Sequence, residues 1–403
     1  MRILLVNKFF YPKGGAETYY FALRNLLLSK GHTIIDFAMA DSKNLPSDYE
    51  TYFVSNVDYN DVESLSEQVK IAARTIYSVE AKEKFRSLVQ DTKPDLVHLN
   101  NFHHQISPSI LDITKNSHIP TVYTAHDLKL VCPSYLMYNN RGICEKCKPN
   151  KYYHCTLNKC IKQSIAKSSI ATIEAYYYHS RKSYQAIDRI ITPSSFHRNK
   201  MIDWGTPTDQ IVHLPNFLDQ DFEPGAEVPI DEYYIYTGRL SREKGLFTLV
   251  EAFIELGLKL IIVGDGPERV SLTELLMRRG ITNISLVGFK SGDKLRDLVQ
   301  NSRAVIIPSE CYENGPYSAI EALQLARPLI GSNIGGIPEL IDGNGFLFDP
   351  GVVRSLVSAV RRMEETTEVD YQQMSLSSKR LFRENHTSDQ HYKALSQIYG
   401  EII

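Results

Sequence analysis

The sequence predicts an α/β protein of two domains, each a parallel sheet wound with helices on both faces. Three observations predict it. The chain has 403 residues, long for one domain and comfortable for two. Short apolar runs alternate with segments of helical spacing, the pattern of strand–helix–strand units. The alternation then breaks at a Pro- and acid-rich stretch, residues 215–229, and starts again.

Composition fits an ordinary globular protein, with 43% hydrophobic and 23% charged residues. A net charge of −2 excludes a nucleic-acid-binding polycation, so any basic surface is local and no nucleic-acid partner is expected. The opening Met1-Arg2-Ile3-Leu4-Leu5-Val6 is too short for a signal-peptide core and reads as a buried strand. No stretch approaches the roughly 18 apolar residues of a membrane span, and a cytoplasmic protein is expected. Of six cysteines, five lie between Cys132 and Cys160. In a reducing compartment that clustering points to metal or packing and not to disulfides.

In the first half, residues 3–6 read as a strand, 17–30 as a helix stopped by Gly31, and 33–37 as a second strand. The runs 94–99 and 121–124 begin at or just after a proline, and 189–192 with 210–214 complete the set. In the second half, strands at 233–237, 258–263, 283–287, 304–308 and 328–331 alternate with helices at 245–256, 269–279, 293–301 and 319–325. The tail from Thr387 has helical spacing. The expected division is 1–216, 230–386, and a tail 387–403 that packs back on the first domain. Ligands of open α/β sheets sit beyond the carboxyl ends of the strands, so the loops just after each strand carry the information.

One such loop reads Pro308-Ser309-Glu310-Cys311-Tyr312-Glu313-Asn314-Gly315-Pro316-Tyr317-Ser318-Ala319-Ile320-Glu321. A strand ends at Pro308, a Gly/Pro turn follows, and a helix begins. Glu313 falls in the turn and Glu321 about one turn into the helix. Amides of 315–318 then stand at a helix N-terminus, whose unsatisfied N–H groups attract an anion. A carboxylate behind them suits a ribose diol. Two solvated glutamates at a helix start, favoured by the dipole, are the plain alternative. A second loop, Thr237-Gly238-Arg239-Leu240-Ser241-Arg242-Glu243-Lys244-Gly245, also follows a strand. Arg239 and Lys244 are cations suited to a diphosphate, or simply a charged surface turn. No G-x-G-x-x-G follows Val6, which argues against a dinucleotide oxidoreductase.

On these motifs the chain resembles the retaining glycosyltransferases of family four, in the GT-B class. Those proteins carry a G-R-(L/F)-x-x-x-K-G loop and an E-x7-E motif in the C-terminal domain. They also carry a G-G-x-E-like loop after the first strand and a His in the N-terminal domain. This chain has Gly14-Gly15-Ala16-Glu17, His126, Gly238-Arg239-Leu240 with Lys244-Gly245, and Glu313…Glu321. The resemblance covers essentially the whole chain and extends to the subgroup with a Cys-containing insert in the N-terminal domain. The family usually reads E-G-F-G at the first glutamate, where this chain reads Glu313-Asn314-Gly315-Pro316.

The resemblance implies two Rossmann-like domains facing each other across a cleft. It also implies a nucleoside-diphosphate sugar donor, carrying UDP or GDP. Arg239 and Lys244 would bind the diphosphate and Glu321 the ribose hydroxyls. Glu313, with Asn314, Gly315, Pro316, Tyr317 and Ser318 after it, would contact the donor sugar. His126 would sit near the scissile bond, and Gly15 would let its loop approach the diphosphate or the acceptor. The sugar would move with retention of configuration. Leaving-group charge would be met by Arg239, Lys244 and helix amides, without a catalytic metal. The acceptor would be a glycan or lipid-linked glycan of bacterial surface polysaccharide or lipopolysaccharide assembly. A sugar-nucleotide epimerase or hydrolase, a non-catalytic sugar-nucleotide binder and a zinc-stapled interaction module are the rivals.

On the acceptor side, Asn101 and His103 follow the strand at 94–99, and either His103 or His104 is as readily a packed side chain. The insert after His126 places Cys144 and Cys147 two residues apart, and Cys155 and Cys160 four apart. Four thiolates at this spacing suit a structural zinc; free thiols are the alternative. Residues 141–200 carry twelve Lys and Arg against three acids, a net +9. Within them, 161–187 has helical spacing with Ile165, Ile170, Ile173, Tyr176, Tyr177 and Tyr184. A basic, aromatic helix suits an anionic membrane surface on the inner face of the cytoplasmic membrane, or is a basic helix whose tyrosines are core.

Overall fold

The computed structural model of the protein describes residues 1–56, 65–219 and 233–403, with the backbone alone for 65–69. The chain divides into two compact units. One comprises Met1–Asn139, Cys144–Leu214 and His391–Ile403, the other Asn140–Ile143 and Pro215–Gln390. Residues 220–229 of the linker-like stretch lie outside the described residues.

The first unit runs β1 (Arg2–Val6), α1 (Gly15–Ser29), β2 (Thr33–Phe37), α2 (Leu65–Ile76), α3 (Val79–Thr92), β3 (Leu96–Leu99), α4 (Leu111–Asn116) and β4 (Thr121–Thr124). The two-residue strands β5 (Tyr138–Asn139) and β6 (Gly142–Ile143) come next in the chain. They are followed by α5 (Tyr153–Leu157), α6 (Ile165–Ser180), β7 (Arg189–Thr192), α7 (Ser195–Asp203) and β8 (Ile211–His213). Its six-stranded parallel sheet has the order β2-β1-β3-β4-β7-β8. Ile3, Leu4, Leu5 and Val6 are all buried, because a central parallel strand is covered on both faces. On α1, Tyr19, Tyr20, Leu23, Leu26 and Leu27 recur at helical spacing and face the core.

The second unit runs β9 (Tyr233–Thr237), α8 (Leu246–Leu256), β10 (Lys259–Val263), α9 (Arg269–Arg278), β11 (Ile284–Gly288), α10 (Asp293–Gln300) and β12 (Ala304–Ile307). It continues with α11 (Tyr317–Gln324), β13 (Leu329–Ser332), β14 (Gly345–Phe348), α12 (Val353–Glu364) and α13 (Glu368–Asn385); α14 (Ser388–Gly400) follows. The parallel sheet order is β11-β10-β9-β12-β13-β14. Alternate residues of β9 feed two cores. Tyr234 and Tyr236 pack with Leu249, Phe253 and Val360 on one face. Tyr233 and Ile235 pack with Ile320, Leu323 and Phe382 on the other. A period of two with both faces apolar is the signature of a sheet sandwiched by helices.

The end of the chain belongs to the first unit through buried polar contacts. His391 Nε2 lies 3.1 Å from Tyr19 Oη, and Tyr399 Oη lies 2.6 Å from His98 Nδ1. In each unit the winding reverses once, between β1 and β3 in the first and between β9 and β12 in the second. Ligands of open α/β sheets bind outside the carboxyl ends of the strands at such a reversal.

Candidate active site

In the second unit the loops after β9 and β12 meet at the reversal. The β9 loop turns through a 3₁₀ segment, Arg242–Lys244, and ends on Gly245 at φ +68°. A Cβ on Gly245 would stand 1.9 Å from the Pro308 carbonyl oxygen. Only glycine lets this turn press on the end of β12. That approach sets Lys244 Nζ 2.5 Å from Glu313 Oε1. Ser309 Oγ donates to the same carboxylate oxygen at 2.5 Å.

Burial alone opposes the Glu313 charge, but Lys244 and the two hydrogen bonds outweigh it and hold the carboxyl below its ordinary value. Burial likewise opposes the Lys244 ammonium, and Glu313 outweighs it, raising the lysine. The pair is therefore ionised at neutral pH. An ammonium has three N–H donors, and Glu313 takes one.

Beyond Glu313 the chain turns at Gly315, φ +75°, whose carbonyl accepts from buried Asn216 Nδ2 at 3.0 Å. The Glu313 carbonyl accepts from the Gly336 amide at 2.8 Å. Pro316 occupies the N-cap of α11, and no side chain caps that helix. An uncapped N-terminus offers amides and a positive dipole end to an anion. Half-buried Asn314, Tyr317 and Ser318 stand on this same turn. Glu321, further along α11 and half-buried, has its carboxyl pushed up to about 7 by burial. Arg239 is exposed, and its guanidinium makes no ion pair among the described residues. The structure thus gathers Arg239, Lys244, Glu313 to Ser318 and Glu321 at one edge of one sheet. Ser309 and Asn216, which hold the two ends of the turn, had no role in the sequence reading. Their signal was position: Ser309 two residues beyond β12, and Asn216 three beyond β8.

In the first unit the ends of β1, β3 and β4 carry a second polar group. Asn7 Oδ1 accepts from the Asn101 amide at 3.1 Å, and the Lys8 amide donates to the Asn101 carbonyl at 2.7 Å. Asn101 is thereby locked by its backbone. His126 Nε2 lies 3.1 Å from Asn100 Oδ1, with the Tyr19 ring edge-on at 5.0 Å. Burial pushes His126 down to about 3, so its imidazole is neutral. Burial also raises Asp127, against the Lys129 amide and the charges of Lys8 and Lys129, and it lowers Lys8. Glu17 is raised by burial despite its hydrogen bond from Asn7. Gly15 is exposed as the first residue of α1, behind Gly14 at the N-cap.

His103 is buried, stacked with Phe102 and Tyr123 and 3.3 Å from Tyr184 Oη. The cysteines Cys144, Cys147, Cys155 and Cys160 are all free. Among the described residues, no three His, Cys, Asp or Glu side chains are arranged to hold a metal ion. Cys147 and Cys155 instead pack with Tyr152 and Ala171, with Cys160 against them. The thiols of Cys155 and Cys160 hydrogen-bond to each other, raising Cys155. Burial, with nearby Cys132, Cys160 and Cys144, pushes Cys147 up to about 12. The Cys155–Cys160 hydrogen bond lowers Cys160.

Solved structures share this architecture over the full chain. Sucrose-phosphate synthase from Thermosynechococcus elongatus superposes with a TM-score of 0.74 at 17% identity, covering 100% of this chain and 98% of that one. Anabaena HepE in complex with UDP gives a TM-score of 0.68 at 16% identity, covering 100% of both chains. The fold is GT-B, two Rossmann-like domains in one chain. Residues 13–222 match the family model described as Glycosyltransferase Family 4, and residues 219–379 match Glycosyl transferases group 1. The first match spans more than half of the chain, and the protein belongs to glycosyltransferase family 4. Among its relatives, O-antigen chain mannosyltransferase C of Escherichia coli is 23% identical over 100% of this chain and 99% of its own. Alpha-D-kanosaminyltransferase of Streptomyces kanamyceticus is 30% identical over 34% of this chain and 37% of its own.

Proposed function

We propose that the protein transfers a sugar from a nucleoside-diphosphate sugar, of UDP or GDP, to a glycan or lipid-linked glycan in bacterial surface polysaccharide assembly, with retention of anomeric configuration. The observation that carries this reading is the Lys244–Glu313 pair set beside the uncapped N-terminus of α11. Diphosphate charge that builds on the leaving group is met by Lys244, Arg239 and the α11 amides, a preorganised electrostatic stabilisation that needs no divalent cation. Glu321 is placed one turn along to accept from ribose hydroxyls. Glu313 holds the lysine with one oxygen, and the turn from Asn314 to Ser318 is left to the donor sugar. In the first unit, neutral His126, fixed by Asn100, is the residue assigned to the reacting sugar, with Asn101 on the acceptor side.

The mannosyltransferase relative, described as acting on an O-antigen chain, supports a polysaccharide acceptor. The complexes of HepE with UDP and with UDP-glucose support a nucleotide-sugar donor. A thermal-shift panel of nucleoside diphosphates and nucleotide sugars tests the reading, run with EDTA and on Arg239→Ala and Lys244→Ala. The expected result is an EDTA-insensitive shift for one nucleotide that both variants lose. No shift with any nucleotide would leave a non-catalytic protein. Donor consumption without any acceptor would leave an epimerase or hydrolase.

A further inference from the structure

Helix α6 is inverted. Its buried side carries Ser168, Ala171, Thr172, Glu174 and Tyr178, while Ile165 and Ile173 are 57% and 54% exposed. At about 100° per residue, Ile165, Tyr176 and Ile173 fall within an arc of roughly 80°. A helix folded only to cover a core turns its aliphatic side chains inward. Here the polar groups are used inward instead. Glu174 Oε2 accepts from Lys129 Nζ at 2.7 Å with both side chains buried. Thr172 Oγ1 meets Thr156 Oγ1 of α5 at 2.9 Å. That contact lays α5 alongside, with Tyr153 exposed and Leu157 69% exposed, one turn apart on its open side.

The charge around this apolar stripe has one sign. From Lys146 to Ile187 the sequence holds a single acid, Glu174, and Lys129 neutralises it out of solvent. Lys151, Lys159, Lys162 and Lys167 are exposed and make no ion pair among the described residues. Other exposed apolar pairs lack this setting. Val369 and Leu376 on α13 stand beside Glu365, Glu368 and Asp370, and Val270 and Met277 on α9 lie among charges of both signs, Glu268, Arg269, Glu274, Arg278 and Arg279.

We infer that the exposed face of α5 and α6 docks on an anionic lipid surface, with Leu157, Ile165 and Ile173 entering the acyl boundary and Lys151, Lys159 and Lys162, in the segments leading into the two helices, meeting headgroups. Long lysine stems lie along apolar surface with the charge kept in water, and an interfacial helix combines these two features. The aliphatic Leu157, Ile165 and Ile173 favour lipid over a single-stranded nucleic acid, which is held by stacking on aromatic rings, although Tyr153 and Tyr176 are exposed on the same face. No helix of the described residues is long and apolar enough to cross a membrane, so this attachment is peripheral. It is independent of the donor site.

Co-sedimentation of the full chain with two vesicle types tests the inference: phosphatidylcholine alone, and phosphatidylcholine mixed equally with phosphatidylglycerol. Binding to the anionic vesicles alone is expected, weakened by salt. It should drop at least tenfold in Ile165→Asp/Ile173→Asp and in Lys151→Glu/Lys159→Glu/Lys162→Glu. These side chains are exposed, and an unchanged melting temperature reports that the variants fold. Absence of binding to anionic vesicles overturns the inference. So does binding that survives the aspartate pair, or equal affinity for a single-stranded oligonucleotide that ignores it. The readout needs no nucleotide, so its failure is separate from failure of the donor reading.

Discussion

Removing both partners of the Lys244–Glu313 pair should cost less than the sum of removing each. The perturbations are Glu313→Gln, Lys244→Met and the double variant. Lys244 is 27% exposed and Glu313 12%. Breaking a fully buried pair by taking one charge costs about 3–5 kcal/mol, and a lysine a quarter exposed recovers some hydration. Each single change should therefore destabilise the second unit by about 2–3 kcal/mol. The double variant leaves no stranded charge, so its loss should fall short of the summed singles by about 2 kcal/mol. Hydrogen exchange of amides in β9 and β12 reads the opening of this unit by itself. The acid arm has a fixed sign. The Glu313 carboxyl is held below its ordinary value, so its stabilisation is complete above that value and is lost as pH falls through the folded one. The double variant should lack this acid step. Nucleotide affinity should not follow stability, because the double variant still lacks the cation that meets the diphosphate. Additive single losses, within about 0.5 kcal/mol, or an acid step that survives in the double variant would refute the coupling.

Gly245→Ala should destabilise by more than about 3 kcal/mol and abolish the nucleotide-dependent thermal shift, since the φ and the Pro308 carbonyl both exclude a Cβ; a stable, nucleotide-responsive alanine variant would break the link between that glycine and the lysine. For Glu321, the folded carboxyl titrates at about 7 against 4.5 unfolded, so the folded state keeps its proton longer and stability falls as pH rises through that window. Glu321→Gln should remove the fall, worth on the order of 1–2 kcal/mol after allowance for its partial exposure, seen as a gap in melting temperature that opens between those pH values. In the first unit, Lys129→Met strands the Glu174 carboxylate and should cost about 3–5 kcal/mol, measured by hydrogen exchange in α6; a loss under about 1 kcal/mol would mean that Glu174 is solvated. If the cysteine insert holds the structural zinc its spacing suits, chelator should remove one equivalent of zinc together with the fold of the insert; an unchanged melting temperature and no stoichiometric zinc would leave free thiols.

The sequence by itself determined the two α/β units and the loops that matter. Apolar runs such as Ile3–Val6 and the alternation around Tyr233–Thr237 are local consequences of strands buried on both faces, and a break in that rhythm is visible without coordinates. The Glu313…Glu321 and Arg239…Lys244 loops were legible for the same reason, each following its strand within a few residues. Tertiary structure decided what these loops do to each other. That Lys244 pairs with Glu313 depends on an approach between Gly245 and Pro308, 63 positions apart, too close to admit a Cβ, and no spacing rule contains it. α2 and α3 escaped the sequence reading, as did β14, whose glycine and short span carry little periodicity until β13 pairs with it. Cys spacing suggested a metal centre, and the packing of Cys147 and Cys155 with Tyr152 and Ala171 is a contact that spacing does not contain. His103 looked like a loop residue and became core because the rings of Phe102, Tyr123 and Tyr184 closed around it. The inverted face of α6 had the same origin: its composition was readable as basic and apolar, but which side the aliphatic residues occupy was fixed by where Lys129 waits for Glu174. Short-range patterns follow from the backbone's own periods, whereas pairings between distant loops follow from free energies that exist only once the sheet has brought them together.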